Sequence, residues 1–405
     1  MNTGTPPHGR LLSIDAMRAC ALVGMVLDHF QLYFGNDAAA STWPYFLFEH
    51  ALGDWGAAVF LMLTGMSQAL SHQRRESRGE EVEFRTSFVR GSYLFVVGLV
   101  MLALTWGPSQ LWQWDILTLM GLATIVLHAC RRLPSWVILL LGAGLAVAAP
   151  ALRSHAGFLD AWGGAMRGVP LISDYLPGFY VEPVSPYGVL WSAKPILMGF
   201  LANGYFPVFP WLAFPLLGFV SGRRVVGGRA KGDLRLVLPA GTALATAGLA
   251  LAFAGRASPP SAAVSGLVAP LSFAPDSFSM VLFQAGMALL CYGIFFYFLD
   301  VRRAWVTQPG PFARMVARTS RFSLSIYFTH YLLIGWTLAG VYLATGQYRR
   351  ASLMDDSLSL ACGVAAVGAL EVLVWIWEKA QGRYSLEWVL ARVSHRGSQR
   401  NGVEV

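Results

Sequence analysis

The chain has 405 residues, of which 55% are hydrophobic and only 13% charged, with a mean hydropathy of +0.52. Soluble proteins carry about a quarter charged residues, so the composition points to an integral membrane protein and away from a soluble enzyme. The net charge of +8 does not indicate nucleic acid, because the basic residues sit in short clusters between apolar runs and not on one polar domain. Cys20, Cys130, Cys291 and Cys362 all fall in apolar stretches with neither disulfide nor zinc-ligand spacing, and no metal is expected.

A spanning helix needs roughly 20 mostly apolar residues. Ten stretches qualify: 11–34, 55–71, 87–106, 111–129, 134–152, 207–222, 236–255, 279–299, 321–345 and 358–378. The second and sixth are short, and the proline-rich stretch 257–275 leaves room for a partial eleventh. The expected fold is therefore all-α, a polytopic transmembrane bundle of 10–11 spans, with residues 1–405 forming one integral membrane domain. The first stretch carries charges and lacks a small-residue cleavage site, so it reads as a span and not as a secretory signal. With the N-terminus inside, 23 of the 30 basic residues fall in cytoplasmic segments and 6 in outer ones. That excess places both termini in the cytoplasm. It leaves three sizeable segments outside, 35–54, 153–206 and 256–278. The long extracytoplasmic segment 153–206 is rich in Tyr, Trp, Pro and Gly around Asp160, Asp174, Glu182 and Lys194. Such a surface suits a sugar or another amphipathic acceptor, and equally a belt of interfacial aromatics.

Ionisable residues within spans are expensive and mark candidate sites. In SIDAMRACALVGMVLDHF, starting at Ser13, Asp15 and Arg18 are spaced to pair. Arg18 and His29 are eleven residues apart, about three turns, and so share one helix stripe with Leu22 and Met25 between them. The rise between them is about 16 Å. Asp28 points about 100° away from His29. Glu49 and His50 precede the second span and Asp54 opens it, bringing a second histidine toward the outer end of the first helix. A neutral imidazole beside a carboxylate suits proton removal from a hydroxyl or amine; either histidine fits. Asp115 opens the fourth span, on its outer side. Three prolines in NGYFPVFPWLAFPLLGF break the sixth. In the ninth, Ser323, Tyr327, His330 and Tyr331 form a polar stripe, and the tenth buries Glu371. The chain lacks a phosphate-binding glycine loop, HExxH and GxSxG, which argues against an ATP-driven pump or a zincin-type protease.

IDAMRACALVGMVLDH resembles the first helix of the heparan-alpha-glucosaminide N-acetyltransferase-like membrane proteins, with Ala19 where that family usually has glycine. EHALGDWGAAVFLMLTGMS, WDILTLMGLA and YFPVFPWLAFPLLGFVSGR resemble later blocks of the same family in order. SLSIYFTHYLL is similar to the penultimate helix of the broader transmembrane acyltransferases, including acyltransferase family 3, and GRYSLEWVLARV resembles the C-terminal block of bacterial relatives. The resemblance implies a multi-pass acyltransferase of a bacterial-type cytoplasmic membrane. It would move an acyl group, commonly acetyl from cytosolic acetyl-CoA or another acyl-CoA, to a hydroxyl or amine of a glycan or other acceptor across the membrane. His50 falls where one branch has its catalytic histidine and His29 where the other does, so the two remain alternatives, with Asp28, Glu49 or Asp54 orienting the imidazole. Arg18, Asp15, Tyr327 and His330 are the candidates for holding the donor. Expected partners are membrane lipids, acyl-CoA and the acceptor, not nucleic acid, with self-association open. The competing expectation is a proton-coupled transporter or exporter of a small amphipathic or glycan-linked molecule.

Overall fold

The computed structural model describes residues 11–35, 53–156, 193–226, 230–257, 267–271, 277–302, 310–345 and 354–399. All regular structure in these residues is helical. The long helices are α1 (Leu12–Phe34), α2 (Asp54–Ser77), α3 (Phe84–Trp106), α4 (Ile116–Ala129), α5 (Ser135–Ala156), α6 (Ala213–Val226), α7 (Ala230–Ala257), α8 (Phe278–Phe296), α9 (Pro311–Arg321), α10 (Ser323–Thr345), α11 (Asp356–Lys379) and α12 (Leu386–Gln399). The ten apolar stretches expected to span all coincide with helical segments. The described part of the suggested eleventh, 267–271, is not helical.

Among the described residues, seven segments are long and apolar enough to cross a membrane: Phe84–Trp106, Ser135–Arg153, Ile196–Val225, Leu234–Gly255, Phe278–Val301, Ser323–Val341 and Asp356–Lys379. Helices α1, α2 and α4 do not qualify: α4 is apolar but only 14 residues long, whereas for α1 and α2 the packing gives the reason. α1 packs against α2, α8, α9, α10 and α11 at once. α2 is buried almost all round from Ala58 to Met66. A helix enclosed by other helices does not face lipid and can carry polar groups at membrane depth.

Close backbone approach holds the interior together. A Cβ on Gly218 of α6 would lie 1.9 Å from the Met62 carbonyl oxygen of α2, and one on Gly65 would lie 2.0 Å from the Pro215 carbonyl oxygen. Small residues at such crossings are the usual device between membrane helices.

Several helix starts are satisfied by carboxylates. Asp115 accepts from the Leu117 amide of α4 at 2.9 Å, and Asp355 from the Leu358 amide of α11 at 3.0 Å. Asp300 reaches across the bundle to accept from the Leu12 and Ser13 amides at the start of α1, at 2.9 and 3.0 Å. Glu387 of α12 does the same for α10, accepting from the Leu324 and Ser325 amides and the Ser325 hydroxyl.

The proline-broken sixth stretch, 207–222, is a short helix Val208–Trp211 followed by α6, and the apolar helical run begins earlier than expected, with a short helix Ala193–Met198 and a wider turn Gly199–Asn203 at the end of the segment expected outside. Its irregular backbone pairs with the equally irregular run before α4. The Tyr205 amide donates to the Gln113 carbonyl at 2.8 Å and the Phe206 amide to the Trp114 carbonyl at 3.0 Å. Non-helical backbone at membrane depth survives only where protein satisfies it in this way. Two helices exceed what hydropathy suggested. α9 and α12 are too charged to span, and α2 continues past residue 71 to Ser77, carrying Arg74 and Arg75 beyond the apolar core.

Candidate functional site

At the N-terminal end of α1, Asp15 and Arg18 lie one turn apart, 3.8 Å between charged atoms. Arg18 donates to the Ser67 hydroxyl of α2 at 2.6 Å and to the Ser320 hydroxyl of α9 at 2.8 Å. Ser320 in turn donates to Asp15 at 2.7 Å. The expected i,i+3 pair is thus one edge of a small network that ties α1, α2 and α9 together. The serines on the other two helices carried no signal in the sequence, being among many in the chain.

Arg18 also lines a cavity of about 250 Å³ between α1, α2, α3, α4, α10 and α12. Its mouth carries Arg75 and Arg90, and its walls include Gln68, His72 and Tyr327. Arg75 and Arg90 belong to the basic cluster expected in the cytoplasm, so by that topology the cavity opens inward.

Tyr327 closes the far end. Its hydroxyl donates to Asp115 at 2.8 Å, while the other Asp115 oxygen caps α4. Asp115 was expected near the outer face, and α4 has only 14 residues. Asp115 at its start is 5% exposed and stands beside Tyr327 within the bundle. Past Tyr327 the rings follow one another: His330 with its centroid 5.3 Å from Tyr327, then His29 at 5.2 Å from His330. His29 Nδ1 and His330 Nε2 are 2.9 Å apart. Tyr331 packs 4.4 Å from His330 and 5.0 Å from His29, and Tyr33 stands 6.0 Å from His29. His330 is fully enclosed (0% exposed), whereas His29 remains part-exposed.

The stripe expected from Arg18 to His29 therefore faces the interior: Leu22, between them, is 1% exposed. Of the four residues expected to hold a donor, Arg18 and Tyr327 line the cavity. Asp15 sits behind Arg18, and His330 sits beyond Tyr327 against His29. Asp28 is half-buried on α1 beside His29. Glu49 and His50 lie outside the described residues, as does the side chain of Asp54, and so do Asp160, Asp174 and Glu182 of the long outer segment. Glu371 has a partner that its position in the sequence did not reveal: Arg318 of α9 at 3.4 Å, with the Thr319 hydroxyl also donating to it. It ties α9 to α11 and does not enter the cavity.

The catalytic family of heparan-alpha-glucosaminide N-acetyltransferase matches residues 10–260. The chain belongs to this family. It is a multi-pass membrane protein of an N-acetyltransferase family. A comparison with curated proteins gives no match. The region matched to the heparan-alpha-glucosaminide N-acetyltransferase family runs from α1 through α7 and holds Arg18, His29 and Asp115. Tyr327, His330 and Glu387 lie beyond it, on α10 and α12.

Proposed function

We propose that this chain takes an acyl group, acetyl in the first instance, from acyl-CoA on the cytoplasmic side. It delivers that group to a hydroxyl or amine of a glycan or other acceptor arriving from the opposite face. In this reading both termini are cytoplasmic, in a bacterial-type cytoplasmic membrane, and residues 1–405 form one membrane domain. The observation that carries it is the succession of side chains from an arginine-bearing cavity, past Tyr327 at its closed end, to the His330–His29 pair. Phosphate-rich CoA suits a mouth with Arg75 and Arg90. The thioester end of the arm would then lie toward Tyr327.

The chemistry needs a base at the acceptor. As the acceptor oxygen or nitrogen attacks the thioester carbonyl, its proton passes to His29 Nε2. The C–S bond then breaks, and the CoA thiolate leaves with the proton returned by His29. His50, expected at the outer end of the same bundle, is the alternative base, with Asp28, Glu49 and Asp54 as orienting carboxylates. A positioned base contributes about 10²- to 10⁴-fold. The test is acetyl-CoA turnover by the purified protein in bilayer discs with a panel of amino sugars and sugar alcohols. Acceptor-dependent release of CoA, lost in His29→Ala, is expected. Undiminished turnover in a His29→Ala, His50→Ala double variant refutes the base assignment.

A further inference from the structure

The geometry points to His330 as a positioning residue that holds His29 in one tautomer, Nδ1–H, and leaves Nε2 as the basic atom. This rests on the acyl-transfer reading for its purpose, though the tautomer follows from hydrogen-bond logic alone. His330 Nδ1 is bonded to the backbone carbonyl of Tyr327, one turn back on α10. A carbonyl oxygen only accepts, so Nδ1 carries the hydrogen. A neutral imidazole has a single N–H, so His330 Nε2 presents a lone pair. That lone pair faces His29 Nδ1 at 2.9 Å, and the bond forms only if His29 donates from Nδ1. The hydrogen of His29 is thereby committed to its partner, and the second ring nitrogen is free to accept a proton. The nitrogen that a histidine's neighbour engages decides which nitrogen can react.

Exposure separates the two roles. His330 is fully enclosed and does not line the arginine-bearing cavity, whereas His29 is only half-buried. His330 therefore acts through His29. The proton count closes on His29 alone. Taking the acceptor's proton at Nε2 makes it an imidazolium, whose Nδ1–H bond to His330 becomes charge-assisted and strengthens. Returning that proton to the CoA thiolate restores the starting pair. Tyr331 and Tyr33 hold the His29 ring from its other sides. The anchor comes from outside the family match, since His330 lies past residue 260.

Two readouts test this on the full-length protein in lipid bilayers. The first is nitrogen NMR of histidine-labelled protein, with the His29 signals identified by their loss in His29→Gln. The expected pattern is a protonated Nδ1 and an unprotonated Nε2; the reverse pattern, or an even mixture, overturns the proposal. The second uses acetyl-CoA with glucosamine as the probe acceptor. His330→Leu should lower kcat on the order of 10²-fold with the KM for acetyl-CoA within twofold. His330→Gln, whose amide oxygen can still accept from His29 Nδ1–H, should recover most of it. Equal loss in the two variants, or a change confined to KM, overturns the positioning role. Absence of any transfer by the wild type counts against the acyl-transfer reading, while the NMR arm decides the tautomer regardless.

Discussion

Removing the Glu387 carboxylate should loosen the helix that carries half of the candidate site. Glu387 accepts three hydrogen bonds, from the Leu324 amide at 2.8 Å, the Ser325 amide at 3.1 Å and the Ser325 hydroxyl at 2.5 Å. It stands at the N-terminus of α10, where a negative charge also complements the helix dipole. A lost helix cap costs about 0.5–2 kcal/mol. A lost hydrogen bond to a charged group costs about 1.5–3 kcal/mol. These overlap, and Glu387 is only half-buried, so Glu387→Ala should destabilise by about 2–3 kcal/mol. Glu387→Gln keeps one oxygen for the two amides and should cost about half as much. Equilibrium unfolding in mixed micelles measures both. A loss under about 0.5 kcal/mol in Glu387→Ala, or equal losses in the two variants, would refute the capping argument.

Gly218→Leu should fail to accumulate as folded protein, because even a Cβ there would lie 1.9 Å from the Met62 carbonyl; normal yield and melting temperature would contradict the α2–α6 contact. Arg75→Ala and Arg90→Ala should each raise the KM for acetyl-CoA about tenfold, a loss of about 1.4 kcal/mol, with kcat retained. The wild-type KM should also rise with ionic strength in steady-state assays. Tyr327→Phe removes the hydroxyl bonded to buried Asp115 and should cost about 1.5–3 kcal/mol of stability; a neutral result in unfolding experiments would show that the bond is not maintained in the bilayer.

The helices were legible because length and apolarity leave few alternatives in a chain of this composition. Even α1 and α2 were legible, although their polar residues weaken the hydropathy signal. Pairing within a helix was legible too: Asp15 and Arg18 sit as i,i+3 spacing requires. Pairing between helices was not. His29 and His330 are 301 residues apart, and nothing in either segment names the other. Single His and Tyr residues on α10 read equally well as packing or as donor contacts. Hydropathy runs the short helix Pro108–Gln113 on into α4, and the structure separates the two at Asp115. Glu371 reads in sequence as a buried acid with no named partner, and the structure pairs it with Arg318, since an ion pair between helices looks in sequence like any other buried charge. GRYSLEWVLARV stood out as a block without a reason, and the structure supplies one: its glutamate caps α10.

The side from which the donor enters decides the matter, because Tyr327 stands between the arginine-bearing cavity and His29. Sealed vesicles of defined orientation test this most directly, with acetyl-CoA added to one face and glucosamine confined to the other. Acetylated acceptor is expected only when acetyl-CoA contacts the face bearing Arg75 and Arg90, with that product lost in His29→Ala. Equal product with acetyl-CoA on the opposite face would contradict it.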